Sequence, residues 1–461
     1  MSWKDPNEMT KEEILSEIES LKKIRKISSE ITVEGLLNKV YDLSPLRDLD
    51  FTIAPNGAIY RRVNGVLPAL MEKMYNERVI YKTKMIEEKK KLERLENDKN
   101  VDASIITKTK KEISRCHNIQ MAKKISLNSA YGSCGNEYFR YYKLDNAKAI
   151  TYSGKCVIQW IERKFNQYLN TIVKTEGVDY VIASDTDSIY LNIGPLVDLV
   201  YQGKERNEES IINFLDKVCK TKFDEFIKKS FNELGEYMNV HKQKMSMKRE
   251  NIASTGIWTS KKHYILNVWD SEGVRYQHPK LKMIGIEAVK SSTPAICRKM
   301  MKETIELIVS GATENEVIDF IEQKKEQFKQ MPINQISFPR SVNNIKKYHS
   351  SVSIYAKSCP VHVRGALLYN NYVKKKNLTN KYPLINSGDK IKYIYLSVPN
   401  PIHENIITYI QRFPKELELD RYIDYELQFE KSFLKPIESI LNVIGWKSQK
   451  TNTLSQFLVS R

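Results

Sequence analysis

Two long helical stretches between residues 66 and 133 constrain the fold more than any other feature. The helical pattern begins near Leu67, breaks at the polar run 97–100 and resumes behind Asp102, a residue type that caps helix N-termini. Consecutive helices with so short a break predict an antiparallel helical hairpin. The segment contains 15 Lys or Arg and 9 Asp or Glu, a net charge of +6, so we expect a cationic projection.

The composition indicates a globular protein that binds a polyanion. The 461 residues suffice for roughly three domains. Their 74 Lys or Arg against 56 Asp or Glu give a formal charge of +18, which favours nucleic acid as the partner. No apolar run approaches the roughly 18 residues of a membrane helix, and the N-terminus lacks a signal-peptide core, so we expect a soluble, intracellular protein with no membrane partner. The six scattered cysteines predict reduced, structural thiols.

The segments around the helical hairpin predict an α+β fold. Thr10 and Glu13 form a capping box for a helix with a thin apolar stripe, which would need a partner. Residues 51–63 read as a hairpin that turns at Pro-Asn-Gly. Residues 150–290 mix strands with amphipathic helices. After Pro294 the pattern is helical, and one helix should bury Val317, Phe320 and Ile321.

Residues 181–193, VIASDTDSIYLNI, place two aspartates between two strand-like runs. The turn-forming residues between these runs predict a β-hairpin with Asp185 and Asp187 at its tip. Two carboxylates held this close repel each other, which suggests a bound cation. A solvated polar turn explains a bare Asp-x-Asp equally well.

A stripe of different chemistry lies on the second helix of the hairpin. Helical spacing puts a cation, an amide, an aromatic ring and a glycine on one face: Lys124, Asn128, Tyr131 and Gly132. On the first helix Arg78 and Lys82 are also four residues apart, so three cations on facing helices would suit a triphosphate. A cation of this kind taken singly is more often a solvated surface charge, and a tyrosine such as Tyr131 is more often a core ring.

The order of these motifs resembles the B-family DNA polymerases, in which Lys-x-x-x-Asn-Ser-x-Tyr-Gly precedes Asp-Thr-Asp-Ser by some 50 residues. The segment TSKKHYILNVWDSEG at 259–273 resembles the family's duplex-holding motif. Four further segments resemble the replicative polymerases of T-even-type phages: YNERVIYK at 75–82, WIERKFNQYLN at 160–170, KLKMIGIEAVKSSTP at 280–294 and CPVHVRGALLYN at 359–370. The resemblance runs from about residue 50 to the end.

This resemblance implies an antiparallel-sheet palm with inserted helical-hairpin fingers and a mainly helical thumb. The palm would comprise residues 41–67 and 137–285, the fingers 68–136, and the thumb with its tail 286–461. Residues 1–40 would be a helical extension and a possible docking segment.

The resemblance also assigns roles at a site with two Mg²⁺ ions. Asp187 would bind metal, Asp185 would bind it or lie beside it, and Glu250 would lie near the same ions. Lys124 would bind the triphosphate with Arg78 and Lys82 and would also donate a proton to the departing pyrophosphate.

Contacts with the nascent base pair and with primer-template DNA are implied as well. Asn128, Tyr131 and Gly132 would face the base pair. The implied DNA contacts are Lys261, Lys262, Tyr264, Lys280, Lys282 and Arg364. His362 would either touch the duplex beside Arg364 or serve as a structural histidine.

The chain departs from the family pattern at a motif that supplies another metal-binding carboxylate, Asp-x-x-Ser-Leu-Tyr-Pro. The nearest string, YDLSPLRD at 41–48, lacks Ser-Leu-Tyr-Pro, and no exonuclease motifs are present. Ala183-Ser184 and His263 are smaller departures, near the primer end. We therefore expect the C-terminal subunit of a split polymerase, nearly inactive without an N-terminal polymerase/exonuclease chain. The alternatives are a non-catalytic primer-template-binding subunit and an Asp-x-Asp nucleotide-sugar transferase.

The C-terminal residues NTLSQFLVSR suggest a tail for partner binding. Leu454, Phe457 and Leu458 form a small apolar cluster in a polar segment, similar to tails that bind a sliding clamp. The cluster packing onto the thumb is the alternative. The resemblance implies that the protein works in the cytoplasm of an infected bacterial host.

Overall fold

A computed structural model of the protein describes residues 9–98, 101–350 and 352–450, which form two compact units. The first unit extends to Ile252 and includes Trp269–Pro279. The second comprises Ala253–Val268 and the described residues from Lys280 onward. This division runs through three strands. The predicted clamp tail lies outside the described residues.

The first unit begins with a capped helix and a small hairpin. Helix α1 (Lys11–Glu30) starts at Thr10, whose capping box with Glu13 is confirmed. The predicted hairpin at Pro-Asn-Gly is also confirmed, and its turn rests on α1: a Cβ on Gly57, at φ +85°, would stand 2.3 Å from the Ser28 carbonyl oxygen. The elements after α1 are α2 (Val33–Leu37), α3 (Ser44–Asp48), β1 (Phe51–Ile53) and β2 (Ile59–Arg61).

The predicted helical hairpin is confirmed as helices α4 (Val66–Glu96) and α5 (Ala103–Cys134), which pack against each other. Asp102 caps α5 by accepting a hydrogen bond from the Ser104 amide. The hairpin has few buried residues, and ion pairs join its helices instead: Lys123 to Glu77 at 2.5 Å, Lys84 to Glu112 at 3.0 Å and Lys110 to Glu96 at 2.7 Å.

Helix α6 (Leu144–Val173) supplies one side of the first unit's main core. Its buried residues recur at helical spacing, with Trp160, Phe165 and Leu169 among them. The Trp160 indole also donates a hydrogen bond to the Ser230 carbonyl oxygen. The remaining helices of this unit are α7 (Gly194–Val200), α8 (Glu208–Val218) and α9 (Asp224–Tyr237), with a π-helical turn, Cys219–Phe223, between the last two.

Five strands follow α6 in two separate sheets. Strands β3 (Val181–Asp185) and β4 (Ser188–Leu191) form a two-stranded antiparallel sheet. The other sheet has the order β5-β6-β7, and its two-residue turns, at 261–262 and 272–273, make neighbouring strands antiparallel. Its strands are β5 (Asn251–Ser260), β6 (His263–Ser271) and β7 (Val274–Ile284).

The second unit combines helices with a sheet that the sequence analysis did not predict. Strands β8, β11 and β12 form a three-stranded antiparallel sheet in the order β12-β11-β8, and α13 packs on β12. The strands are β8 (Phe338–Ser341), β9 (His349–Ser350), β10 (Ile354–Tyr355), β11 (Lys390–Tyr395) and β12 (Ile406–Tyr409). The helices are α10 (Ala295–Val309), α11 (Glu314–Lys329), α12 (Ile333–Ile336), α13 (Val361–Lys375), α14 (Tyr425–Phe429) and α15 (Lys435–Leu441).

Helix α11 differs in part from the prediction. Val317 and Ile321 are buried as expected, but Phe320 is half-buried, with Lys324 over its ring, and Ile318 takes the inward position. The prediction for Phe320 is therefore wrong, because the helix turns residue 318 toward the core.

The cysteines are free, in agreement with the predicted reduced thiols. Burial raises the pKa of Cys156, Cys219 and Cys297 to about 11, so these thiols stay protonated near neutral pH. None of the described helices combines the length and the apolar character needed to span a bilayer.

Candidate active site

The paired aspartates lie at the tip of the hairpin formed by β3 and β4, as predicted. Thr186 adopts a left-handed conformation with φ 56°, and the Asp187 amide donates a hydrogen bond of 2.6 Å to the Asp185 carbonyl oxygen. Asp185 is half-buried and Asp187 is exposed. Because the turn is closed by the backbone, the two carboxylates extend from a rigid support.

Two asparagines of α6 fix the start of this hairpin. The Asn166 side-chain oxygen accepts hydrogen bonds from the backbone amides of Tyr180 at 2.8 Å and Val181 at 3.1 Å. One turn later, the Asn170 amide bonds both the nitrogen and the oxygen of Val178. The sequence analysis did not single out either asparagine. The available signal was two asparagines four residues apart on a helix that leads into a strand.

Asp185 and Asp187 offer hard oxygen donors of the kind that Mg²⁺ prefers. Within residues 9–98, 101–350 and 352–450, no three His, Cys, Asp or Glu side chains come together as a metal-binding group. Glu250 therefore does not join the two aspartates in such a group. The two carboxylates fit a metal ion, and no third carboxylate among the described residues joins them in a metal-binding group.

Glu250 is the residue before β5, and its neighbour in the sequence, Arg249, belongs to a buried ionic network. The Glu272 amide donates a hydrogen bond of 2.6 Å to the Glu250 carbonyl oxygen. The adjacent Arg249 guanidinium pairs with Asp216 and with Asp270, which is 1% exposed. Burial opposes the charge of Arg249, but the two carboxylates outweigh burial and raise its pKa.

The stripe on α5 faces solvent along its whole length. Lys124, Asn128, Tyr131 and Gly132 are all exposed, and Tyr131 retains 42% of its surface, so it is not a core ring. A Cβ on Gly132 would meet no atom within 4 Å, so packing within the chain does not demand a glycine there. Among the described residues, Lys124 forms no salt bridge. The stripe is therefore open for a ligand.

The two cations of α4 have different surroundings. Arg78 is half-buried, and its Nε is shielded from water and bonds to no described residue. Lys82 pairs with Glu272. The pair between Lys123 and Glu77 joins the helices beside Lys124 and Arg78, so these two cations lie at the same level of the helical hairpin.

The predicted DNA contacts belong to the second unit. Lys261 and Lys262 form the exposed turn between β5 and β6, and Lys280 and Lys282 lie on one face of β7. Tyr264 is only 8% exposed, and its ring stacks on Trp258 at a centroid distance of 6.2 Å. Its ring is mainly part of the packing, so little of it remains for contact with DNA.

The two residues predicted on α13 are held by neighbouring side chains. Arg364 donates a hydrogen bond to Asn405 at 2.5 Å and lies 3.9 Å from the Glu404 carboxylate. Burial and the nearby Arg340 lower the pKa of His362, so this histidine is neutral near pH 7. A neutral, half-buried ring matches the structural alternative for His362.

Comparisons with known proteins identify relatives of this chain. Residues 28–199 match DNA polymerase family B. The chain is 34% identical to the DNA-directed DNA polymerase of Escherichia phage RB69, over 88% of this chain and 49% of that protein. It is 28% identical to the DNA-directed DNA polymerase of Enterobacteria phage T4, over 93% and 52%, and 23% identical to DNA polymerase 1 of Pyrococcus abyssi, over 84% and 40%.

The family match starts at residue 28, so the predicted start of the resemblance near residue 50 is wrong. The first part of the helical extension, up to residue 27, lies outside that match. The chain spans about half the length of the two phage polymerases. With the Asp-Thr-Asp hairpin, the helical stripe and these two relatives in agreement, the chain belongs to DNA polymerase family B, of the kind found in T-even-type phages.

Proposed function

We propose that this chain supplies the nucleotidyl-transfer part of a DNA-directed DNA polymerase, which extends a primer 3′-hydroxyl with deoxynucleoside triphosphates. The observation that carries the proposal is the backbone-locked turn that holds Asp185 and exposes Asp187. In this assignment residues 41–67 and 137–285 act as the palm, 68–136 as the fingers and 286–461 as the thumb. The family membership and the exposed stripe on α5 support it.

Each group at the site has a distinct task in this proposal. Asp185 and Asp187 hold Mg²⁺, and two such ions, when bound, lower the pKa of the primer hydroxyl and offset the charge on the phosphates. Arg78, Lys82 and Lys124 grip the triphosphate, and Lys124 protonates the departing pyrophosphate. The stripe continues toward the nascent base pair with Asn128, Tyr131 and Gly132, whose exposed surfaces leave room for a base.

Contacts with primer-template DNA come from the second unit. The lysines of the turn at 261–262 and of β7, together with Arg364, bind phosphates and so fix the position of the duplex without reading its sequence. Glu404 and Asn405 limit the rotamers of Arg364 and orient its guanidinium. We propose that this primer extension takes place in the cytoplasm of an infected bacterial host, where phages replicate.

A second polypeptide segment completes the site. The described residues bring no third carboxylate to Asp185 and Asp187, and the Asp-x-x-Ser-Leu-Tyr-Pro motif of the family does not occur in these 461 residues. We propose that an N-terminal polymerase/exonuclease chain provides that carboxylate and docks in part on α1, whose Leu15, Ile18 and Leu21 are exposed.

Complementation tests this function. The purified chain with primer-template, nucleotides and Mg²⁺ should extend almost nothing, and adding the segment with the missing motif should produce template-dependent extension. In the completed enzyme Asp187→Ala should lower the single-turnover rate by several orders of magnitude and leave duplex affinity nearly unchanged.

A matched control is Asp198→Ala, which removes another exposed aspartate of the same unit, paired only at the surface with Arg206. Its rate should equal that of the wild type. If Asp187→Ala keeps more than about a tenth of the rate, the metal-binding role is refuted. Tight DNA binding without extension in any mixture would instead identify a non-catalytic primer-template-binding subunit.

A clamp interaction is the remaining proposed partner. Deleting residues 452–461 should abolish stimulation by a sliding clamp and leave clamp-free extension unchanged, because a short apolar tail acts as a tether. Parallel loss of thermal stability and clamp-free activity would show that the tail packs with the thumb.

A further inference from the structure

Lys82, one of the three cations assigned to the triphosphate, already has an anionic partner in this structure. Its ammonium pairs with the Glu272 carboxylate, and the two side chains retain only 34% and 24% of their surface. By contrast, Lys124 is exposed and pairs with no described residue. A ligand that uses both lysines therefore competes with a carboxylate at one of them.

The Glu272 carboxylate is held in place by the turn that carries it. Glu272 and Gly273 are the two turn residues between β6 and β7, and both have positive φ, 53° and 84°. This is the conformation of a tight hairpin turn whose backbone twist matches its strands. The Gly273 amide donates a hydrogen bond of 2.8 Å to Asp270, which is itself fixed by Arg249.

The same turn approaches α4 at a second lysine. A Cβ on Gly273 would stand 3.1 Å from the Nζ of Lys90, which is eight residues beyond Lys82 on the same face of the helix. The turn thus reaches the helix at two lysines, and the lack of a side chain at Gly273 permits this close approach. Glu272 is consequently placed over Lys82 by backbone geometry.

We infer that Glu272 is a positioning residue for Lys82. The Glu272 carboxylate holds the lysine in the nucleotide-free protein, and the triphosphate replaces this carboxylate when a nucleotide binds. This inference rests on the proposed function, since it takes Lys82 as a triphosphate ligand. A triphosphate carries more negative charge than one carboxylate, so it wins the exchange when it is present. Until then the carboxylate neutralises part of the binding site and lowers its affinity for any single phosphate.

The exchange has a measurable consequence. Because the Glu272 carboxylate and the triphosphate compete for Lys82, removing the charge of residue 272 shifts the equilibrium toward the bound triphosphate. Replacing Glu272 by glutamine should tighten binding of Mg²⁺-dATP to the 461-residue chain roughly two- to five-fold, the range set by a partly exposed ion pair. The gain should disappear in a Lys82→Ala background, where no lysine remains to be released. Equilibrium dialysis at low ionic strength provides these dissociation constants.

The matched control is Glu112→Gln, which neutralises a carboxylate paired with Lys84 of the same helical hairpin and changes the net charge equally. It should leave the dissociation constant unchanged. An equal gain in the control would reduce the effect to general electrostatics and overturn the inference. A second measurement reads the pair directly: acylation of Lys82 by an amine-reactive ester, followed by mass spectrometry, should be faster in Glu272→Gln than in the wild type.

The failures of the two proposals are distinguishable. If Lys124→Ala weakens dATP binding while Glu272→Gln binds no more tightly than the wild type, Glu272 has no such role and the proposed function stands. If dATP binding is insensitive to Lys124→Ala in this chain and in the completed enzyme, the triphosphate site itself is refuted, and the inference about Glu272 falls with it.

Discussion

Replacing Asp270 by alanine should destabilise the first unit by about 2 to 3 kcal/mol. Asp270 is 1% exposed and accepts hydrogen bonds from Arg249, from the Arg275 Nε at 3.1 Å and from the Gly273 amide at 2.8 Å. Removing the sole partner of a buried charge costs about 3 to 5 kcal/mol. Arg249 keeps Asp216, which lowers that cost, whereas the Gly273 amide loses its acceptor, which adds about 1 kcal/mol.

Urea unfolding followed by tryptophan fluorescence measures this loss, and Trp269 next to the mutated position reports on the first unit directly. The two compact units require that their transitions be fitted separately. Asp198→Ala serves as the control, because its pair with Arg206 is more than half exposed and should contribute at most about 1 kcal/mol. A loss below about 1 kcal/mol for Asp270→Ala would show that the network does not support the unit.

Three further predictions follow from the structure. Asn166→Ala should lower the melting temperature and the activity of the completed enzyme together, because β3 loses its backbone acceptor, whereas Gln167→Ala on the exposed face should change neither. In the completed enzyme the losses of nucleotide affinity in Arg78→Ala and Lys124→Ala should be non-additive if both bind one triphosphate; strictly additive losses in the double mutant would place them at separate sites. Burial favours the neutral form of Asp216, but hydrogen bonds from two basic neighbours outweigh it and lower its pKa. Its contribution to stability is therefore complete above the unfolded value of about 3.9 and disappears as the pH falls through the lower folded value, so urea midpoints of Asp216→Asn should vary less with pH in that window than those of the wild type.

Local patterns allowed the helical hairpin and the aspartate hairpin to be predicted from the sequence. Both depend on neighbours within a few residues: a polar break with the Asp102 cap in one, and turn formers between two apolar runs in the other. The same holds for the stripe on α5, because helical spacing alone places its residues on one face.

The remaining features depend on partners that are distant in sequence. Arg249 meets an aspartate 33 residues before it and another 21 residues after it, and no periodicity connects these positions. The sequence pattern around Lys82 predicts either a solvated charge or a phosphate ligand. Its pairing with Glu272 was not predictable, because it depends on how the chain folds back on α4. The sheet of β8, β11 and β12 was missed because its first two strands are separated by about 50 residues, which include α13 and the short strands β9 and β10.

The route of the chain through β5, β6 and β7 has a consequence for dissecting the protein. The polypeptide passes from one unit to the other after residue 252, after 268 and after 279, once in each strand. A protease that cleaved after residue 252 would divide the polypeptide in two, but residues 269–279 would stay packed in the first unit while covalently joined to the second, so limited digestion should nick the protein without releasing either half. During synthesis on the ribosome the first unit likewise stays incomplete until residue 279 has emerged, by which time part of the second has already been made. Fragments for expression therefore cannot be cut at residue 252, and both units must be produced as one polypeptide.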